Sequence, residues 1–247
     1  MAIYLKKFET QAAYEAAESG LILPNVSLIA DNNTVHYNPS TPTPPHDFVE
    51  IGGLKWATMN VGANSITDYG LYFQWGDAQG YTADQAGEGE GQKNFAWEDY
   101  KYATNVQGYD ADMTKYNATD GKTVLEASDD AVTANWGGQW RMPTSAEYEA
   151  LGEAVNTAWT ANYQGSGVAG LVCTDKTDSS KVLFFPACGF CWYGVNNVDN
   201  VGYYWSSSLY SSEVQNARCL LFNDWLVYWQ QTYGRYYGLP VRGVLNE

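Results

Sequence analysis

The sequence predicts an α+β domain that is rich in loops, with short strands and few helices. Strand-like runs are short, and many of the 24 glycines stand between them. In the main part of the chain, only residues 143–151 have a clear helix start followed by strong helix formers. Long stretches rich in glycine and acidic residues join these elements, so we expect loops to make up much of the surface.

The composition limits the partners of this 247-residue chain. It has 28 acidic and 13 basic residues, which give a formal net charge of −15. Because phosphate backbones and anionic lipids repel such a charge, we predict no nucleic-acid partner. The chain has no apolar run of about eighteen residues, so we also predict no membrane insertion. Aromatic residues reach 15%, which suggests a fold that relies on aromatic packing.

A proline-rich stretch, residues 39–45, predicts an extended linker between two parts of the chain. Residues 1–38 before it form a small module with a capped helix at 11–18 and two strands at 25–30 and 34–37. Because so short a segment has too few apolar side chains for a core of its own, we expect it to serve in attachment or oligomerisation. Packing onto the main domain is the alternative.

Residues 46–247 are predicted to form one continuous ligand-binding domain. Residues 48–57 predict a hairpin that turns at a pair of glycines. The helix at residues 143–151 begins with a capping residue, and Gly152 is placed to end it.

The C-terminal part of this domain is crowded with tyrosine, tryptophan, serine and asparagine, which is typical of a recognition surface. Two strand-like runs, 217–223 and 226–230, predict a hairpin. Strand alternation would turn one set of side chains to the core, namely Leu220, Phe222, Val227 and Trp229. It would turn a second set outwards, namely Cys219, Leu221, Leu226, Tyr228 and Gln230. Leucines and a tyrosine on the outer face of a sheet indicate a partner.

The predicted contact residues share this segment and an expected outward orientation. They are Tyr210, Glu213, Gln215, Arg218, Cys219, Leu221, Leu226, Tyr228, Gln230, Thr232, Tyr233, Tyr236 and Tyr237. For three of them, Leu221, Tyr236 and Tyr237, packing under a neighbouring loop is the alternative. A structural role is predicted for Trp205, the serines 206–208, Phe222, Trp229, Val241, Arg141 and Arg242.

Five segments resemble, in order, the landmarks of one family. They are residues 49–62, 69–76, 135–144, 204–208 and 238–244, which contain GLKWATMNVG, YGLYFQWG, NWGGQWRMPT, YWSSS and GLPVRGV. This series is similar to that of C-type-lectin-like domains of the formylglycine-generating-enzyme type, which are abundant in gut Bacteroidetes and their phages. The resemblance spans the whole of the main domain and implies a C-type-lectin-like fold.

One branch of that family consists of the variable proteins of diversity-generating retroelements, whose C-terminal segment is rewritten to change what is bound. The resemblance implies noncatalytic recognition through residues 210–237, in a phage tail or receptor-binding protein that binds a host cell-surface protein or glycan. It also implies a homotrimer assembled through the N-terminal module.

The expected location follows from the first residues, which lack the apolar run of a secretion signal. We therefore expect a virion component made in the bacterial cytoplasm. A bacterial surface or pilus-tip adhesin whose signal has been removed is the alternative.

A thiol enzyme is a third interpretation, because Cys188 and Cys191 have the spacing of a redox pair or of half a metal site. A redox pair of this kind opens a helix, whereas this one leads into a loop, and zinc would need two further ligands. The remaining candidates, Cys173, Cys219, His36 and His46, are scattered along the sequence. Formylglycine generation would require a reactive cysteine pair, and only Cys219 lies in the matching segment.

Acid–base hydrolysis and calcium binding are the other chemical interpretations. The loop carboxylates Asp77, Glu88, Glu90, Asp129 and Asp130 lack a recognisable catalytic arrangement, and the sequence has no calcium-loop pattern. We therefore predict no catalytic residue, no cofactor and no metal.

Overall fold

The structure is a computed structural model that describes residues 27–31, 34–38, 46–137 and 139–245. The chain divides into two compact units, residues 1–45 and 46–247. In the first unit, strands β1 (Ser27–Asp31) and β2 (Thr34–Asn38) pair antiparallel, with Ser27 opposite Asn38. The two strands predicted there are confirmed. The predicted helix at 11–18 and the linker at 39–45 lie outside the described residues.

The second unit is built from short antiparallel strands. They are β3 (Phe48–Ile51), β4 (Leu54–Asn60), β5 (Ala103–Gln107), β6 (Asp110–Met113), β7 (Trp140–Arg141), β8 (Val155–Thr160), β9 (Gly170–Asp175), β10 (Val182–Pro186), β11 (Phe190–Cys191), β12 (Val195–Asn196), β13 (Gly202–Leu209), β14 (Asn216–Phe222), β15 (Val227–Gly234) and β16 (Arg242–Leu245). Two α-helices accompany them, α1 (Ala131–Trp136) and α2 (Ser145–Ala154). Single 3-10 turns occur at Ala83–Gln85, Trp97–Asp99 and Tyr163–Gly165.

The strands form several small sheets rather than one large one. The largest is four-stranded, in the order β3-β4-β16-β7, and it brings the last strand of the domain beside the first hairpin. Two three-stranded sheets have the orders β10-β9-β8 and β13-β14-β15. Two further pairs are β5-β6 and β11-β12.

The predicted α+β class is wrong. The described residues contain sixteen strands and only two short α-helices, so the protein is mostly β. The helix predicted at residues 143–151 is present as α2, but it is a small part of the structure. Segments that look like loops in the sequence pair as strands through partners distant in the chain, and a local pattern does not reveal such pairing.

Two local predictions are confirmed. β3 and β4 form a hairpin whose turn places Gly52 and Gly53 at φ +63° and +78°, a region that suits glycine. At the start of α2, Thr144 Oγ1 accepts from Glu147 N at 3.2 Å, while Glu147 Oε2 accepts from Thr144 N at 2.7 Å. The helix does not end at Gly152 as expected. A Cβ there would lie 2.4 Å from Trp229 Nε1, so this glycine allows α2 to pack against β15.

The interior contains a buried arginine, Arg242, at the start of β16. Its guanidinium donates to Asn60 Oδ1 at 2.9 Å, Ala57 O at 2.9 Å and Phe184 O at 3.1 Å. These bonds tie β16 to β4 and β10, which agrees with the structural role predicted for this residue.

None of the helices in the described part of the chain combines the length and apolar character that a membrane span needs.

Candidate ligand-binding surface

Eight aromatic side chains of the second unit make a continuous series of ring contacts. We call this set the aromatic face: Trp97, Phe190, Trp192, Tyr193, Tyr203, Tyr233, Tyr236 and Tyr237. The shortest centroid distances join Tyr236 to Tyr237 at 4.3 Å and Tyr233 to Tyr237 at 4.5 Å. At such separations tilted and stacked rings attract one another beyond the area that they bury.

Three parts of the fold bring these rings together. Tyr203 lies on β13 and Tyr233 on β15, the outer strands of one sheet, and their ring centroids are 4.8 Å apart across it. The chain then turns through Gly234 into a loop that carries Tyr236 and Tyr237. β11 supplies Phe190, whose ring touches the rings of Tyr203, Tyr233 and Tyr237.

The aromatic face is graded from buried to open. Phe190, Tyr203 and Tyr236 are buried, Tyr233 and Tyr237 are half-buried, and Tyr193 is 43% exposed. Burial raises the pKa of the Tyr203, Tyr233 and Tyr236 phenols still further above neutral pH, where these groups are uncharged. The face therefore offers ring surface and neutral hydroxyl groups, which suit stacking and hydrogen bonding.

The loop that carries Tyr236 and Tyr237 is fastened from beneath by Arg235, which is fully buried. Its guanidinium donates to Tyr100 Oη at 2.8 Å and to three main-chain carbonyls. These are Val214 O at 2.8 Å, Lys115 O at 3.0 Å and Tyr116 O at 3.1 Å. It also lies over the Trp75 ring, 4.8 Å from the centroid. One side chain thus joins the loop to several separate parts of the chain.

Main-chain bonds complete the attachment of residues 234–238, which we call the anchored loop. Arg235 N donates to Gln215 O at 2.9 Å, and Trp75 N donates to Arg235 O at 3.0 Å. Gln74 Nε2 donates to Tyr236 O at 3.0 Å. Because these groups hold both sides of Arg235, the Tyr236 and Tyr237 rings start from a fixed backbone.

The Asp129 carboxylate is the centre of a hydrogen-bonded cluster that holds two partners of Arg235, Lys115 and Tyr116, in place. Tyr116 Oη donates to Asp129 Oδ2 and Tyr102 Oη donates to Asp129 Oδ1, while Lys115 Nζ pairs with the same carboxylate. Burial alone would raise the pKa of Asp129. Hydrogen bonds from Lys115, Tyr102 and Tyr116 outweigh it and hold this pKa well below its usual range. The ionised carboxylate therefore fixes Tyr116, whose carbonyl accepts from Arg235.

The turn of the β14–β15 hairpin, residues 223–226, is the second exposed part of this segment, and we call it the hairpin tip. Asn223 Oδ1 accepts from Trp225 N at 2.9 Å and Leu226 N at 3.1 Å, and Asn223 N donates to Leu226 O. The Trp225 side chain is 85% exposed, and Tyr228, just inside β15, is 51% exposed.

The predicted contact residues fall into three groups. Tyr233, Tyr236 and Tyr237 belong to the aromatic face. Leu221, Leu226 and Tyr228 lie near the hairpin tip, where Leu221 stands opposite Tyr228. The others lie along β14 and β15 or in the turn before β14, namely Tyr210, Glu213, Gln215, Arg218, Cys219, Gln230 and Thr232.

Cys219 does not point outwards as expected. It is 1% exposed and packs with Tyr203 and Tyr233 in the interior. Cys219 lies on the opposite face from Leu220 and Phe222, as strand alternation predicts, but Tyr203 and Tyr233 cover that face as well. Both faces of the sheet are covered at this end, since Leu220 is also buried.

Several polar members of the predicted set are engaged by the protein itself. Arg218 Nη1 donates to Gln230 O at 2.8 Å, and its guanidinium lies 4.5 Å from the Tyr210 ring centroid. Gln230 Nε2 donates to Glu149 Oε2, and Gln215 Nε2 donates to Ala111 O. These side chains hold the hairpin against its surroundings.

Sequence reasoning missed Arg235 and the contribution of β11 with the residues that follow it. Arg235 stands between aromatic residues in the series Tyr233-Gly234-Arg235-Tyr236-Tyr237, and a lone basic residue there was the available signal. Trp192 and Tyr193 directly follow Cys188 and Cys191, and the sequence interpretation of this segment considered thiol chemistry rather than the aromatic residues.

The four cysteines are free and buried. The Cys188 thiol lies 3.1 Å from Tyr204 Oη, and burial raises its pKa to about 12. Burial raises the pKa of Cys191 as well. A nucleophilic or metal-binding cysteine needs the opposite shift, so neither thiol is prepared for such chemistry. No cluster of three or more ligating side chains that could hold a metal ion occurs among the described residues.

Comparisons with known proteins find no match: none of the protein-family models fits the chain, and neither the curated proteins nor the solved structures give a significant similarity. The resemblance to the formylglycine-generating-enzyme type thus stays a prediction carried by the five sequence segments.

Proposed function

We propose that the protein is a noncatalytic recognition protein that binds a ligand on the surface of another cell through its aromatic face. The observation that carries this proposal is a connected set of aromatic rings, partly open to solvent, on a backbone fixed by the buried Arg235. Rigid aromatic anchors are the residues that dominate binding surfaces, because they supply contact area at a low cost in side-chain entropy.

The rigidity of the anchored loop supports this function more than exposure alone does. A loop that is ordered before binding loses little conformational freedom when the ligand arrives, which leaves more of the contact energy as affinity. The hydroxyl groups of Tyr233 and Tyr237 add hydrogen-bonding capacity at the edge of the rings.

The setting of this function rests on the resemblance alone. A tail or receptor-binding protein of a phage is the proposed setting, and a bacterial surface or pilus-tip adhesin is the alternative. Tail genes beside the coding sequence would favour the first. A near-copy of the segment that encodes residues 203–244, next to a reverse transcriptase gene, would favour active diversification.

The test compares two variants of the full chain in a binding assay with intact gut bacteria of the Bacteroidetes. The double variant Tyr233→Ala, Tyr237→Ala removes two rings of the aromatic face, and we expect at least about tenfold weaker saturable binding. The control is Tyr163→Ala, which removes a ring that stacks on Phe184 outside the aromatic face. Unchanged binding by the double variant, with its melting temperature preserved, would contradict the proposal.

A further inference from the structure

The turn between β11 and β12 carries the most exposed ring of the aromatic face. We call this turn, residues 192–194, the presenting turn. The Tyr193 ring centroid lies 5.6 Å from that of Trp192, which in turn lies 6.1 Å from that of Tyr237. Tyr193 is 43% exposed, whereas every other member of the face is buried or half-buried. Tyr193 therefore adds open ring surface from a segment outside residues 210–237.

The backbone of Tyr193 has an unfavourable conformation. Its φ is +50°, in the left-handed region, which is costly for an aromatic residue and which glycine adopts freely. A residue keeps such a conformation only where the surrounding structure imposes it, and such residues cluster at functional sites. Glycine would fit this backbone at a lower cost, so the presence of a ring here needs an explanation.

Asn196, the last residue of β12, holds this conformation in place. Its Nδ2 donates to Trp192 O at 3.0 Å and to Gly194 O at 2.9 Å, the carbonyls on either side of Tyr193. Trp192 N donates to Gly194 O at 2.9 Å and closes the turn. Tyr193 N donates to Asn94 O at 2.7 Å, which ties the turn to a neighbouring loop. The position of the Tyr193 ring thus depends on a single amide side chain together with main-chain bonds.

The presenting turn and the anchored loop are joined by main-chain bonds. Cys191 N donates to Gly238 O at 2.7 Å, and Gly238 N donates to Cys191 O at 3.0 Å. A Cβ at position 238 would lie 2.8 Å from Cys191 Cβ and 2.4 Å from Phe95 Cε1, so this close approach requires glycine. The presenting turn is therefore attached to the same fixed backbone as the Tyr237 ring.

We propose that Tyr193 contacts the ligand of the aromatic face and that Asn196 is the positioning residue that holds its ring there. An exposed ring on a backbone that is fixed before binding supplies contact area at a low cost in entropy, and this gain offsets the strain of the left-handed conformation. Asn196 acts through the turn and does not itself touch the ligand. This inference rests on the proposed function and extends the binding site to a second segment of the chain.

The test measures saturable binding of the full chain to the same intact gut bacteria. Tyr193→Gly removes the ring but relieves the left-handed strain, so we expect about fivefold to tenfold weaker binding with little change in melting temperature. Tyr193→Phe keeps the ring and should bind within about twofold of the unchanged protein. The matched control is Asn197→Gly, at another exposed left-handed position with φ +59°. It relieves strain without removing a ring and should leave binding unchanged.

A double-mutant cycle tests the role of Asn196. Asn196→Ala removes both side-chain bonds across the turn and should weaken binding about threefold to tenfold. The same change in a chain that already carries Tyr193→Gly should cost no further affinity, because Asn196 acts through the Tyr193 ring. Equal losses in the two backgrounds would overturn the positioning role, since a residue that only stabilises the fold acts independently of this ring.

The Tyr233, Tyr237 double variant distinguishes failure of this inference from failure of the proposed function. If that variant loses binding while Tyr193→Gly keeps it, the aromatic face binds its ligand without the presenting turn. In that case this inference is wrong and the function stands. An equal loss in Tyr193→Gly and Asn197→Gly would also overturn the contact assigned to the ring. If the double variant and Tyr193→Gly both keep binding, the function itself is wrong and so is this inference.

Discussion

The anchored loop and the hairpin tip belong to the same C-terminal segment and both present aromatic side chains, yet they are held in place by different means. The anchored loop depends on Arg235, whose partners come from residues 100, 115, 116 and 214. The hairpin tip depends on bonds among its own four residues, centred on Asn223.

The backbone of the anchored loop is therefore held by residues distant in the sequence, whereas the backbone of the hairpin tip is held by its own residues. A loop held by distant groups keeps its shape when its exposed residues change, because the attachment is buried. We therefore expect the fold to tolerate replacement of the half-buried Tyr237 ring better than replacement of Arg235. The hairpin tip depends instead on a local acceptor, the Asn223 side chain, together with the main-chain bond from Asn223 N to Leu226 O.

The largest expected effect comes from removing the anchor. Arg235→Met leaves Tyr100 Oη, the buried carbonyl of Tyr116 and two partly buried carbonyls without this donor, and each unpaired buried group costs about 1–3 kcal/mol. We expect the free energy of unfolding to fall by at least about 3 kcal/mol, measured by urea titration with tryptophan fluorescence.

The control for this variant is Arg218→Met, which removes a half-buried guanidinium from the neighbouring strand. Its one main-chain bond, to Gln230 O, predicts a loss of about 1 kcal/mol. Similar losses in the two variants would mean that Arg235 is not a special attachment and that the two regions are held alike.

A smaller effect is expected from the cluster that supports the anchor. Asp129→Asn removes the charge of the carboxylate that accepts from Lys115 and from two phenols but keeps an acceptor oxygen, so we expect a loss of about 1.5–3 kcal/mol in total. The folded pKa of Asp129 lies below its unfolded value. Its contribution is therefore complete above about pH 4 and is lost as the pH falls further, through the folded pKa.

Stability measured across this acidic range gives the check. The unchanged protein should lose stability steeply below about pH 4, and Asp129→Asn should show a flatter profile. Asp84→Asn, at an exposed carboxylate in the turn Ala83–Gln85, serves as the control and should follow the unchanged protein. Parallel profiles for Asp129→Asn and the unchanged protein would show that the cluster does not support the fold through its charge.

The same contrast explains what the sequence was able to predict. The hairpin at β3–β4 and the capped helix α2 depend on neighbouring residues, so local patterns predicted them. Tyr233 and Tyr237 were predicted as contact residues because aromatic residues are dense there, and their contact with a ligand stays a prediction. Arg235 was missed because its role depends on acceptors that are distant in sequence. The exposed position predicted for Cys219 was wrong because strand alternation separates the two faces of a sheet but does not show that the second face is covered, here by Tyr203 and Tyr233.

The fold class failed for a related reason. Helices form from contacts within one segment and can be recognised there, whereas antiparallel pairing joins segments of unrelated pattern. β8 and β9 pair across residues 155–175, and β16 returns to β4 from the other end of the domain. Because the sequence does not show which segments pair, short strands look like loops. The few recognisable helices then favour an α+β class over a mostly β one.

The smallest effect is expected at the hairpin tip. Asn223→Ala removes the acceptor for Trp225 N and Leu226 N, which are exposed enough to bond to water instead, so we expect a loss of about 1 kcal/mol. Asn223→Asp keeps the acceptor and should recover most of the lost stability.

Cell binding through the aromatic face should stay unchanged in both variants, because no bond of the anchored loop passes through Asn223. If Asn223→Ala weakened binding as much as the Tyr233, Tyr237 double variant, the exposed Trp225 would have to share the ligand. The two regions would then form one recognition surface with an anchored end and a locally held end.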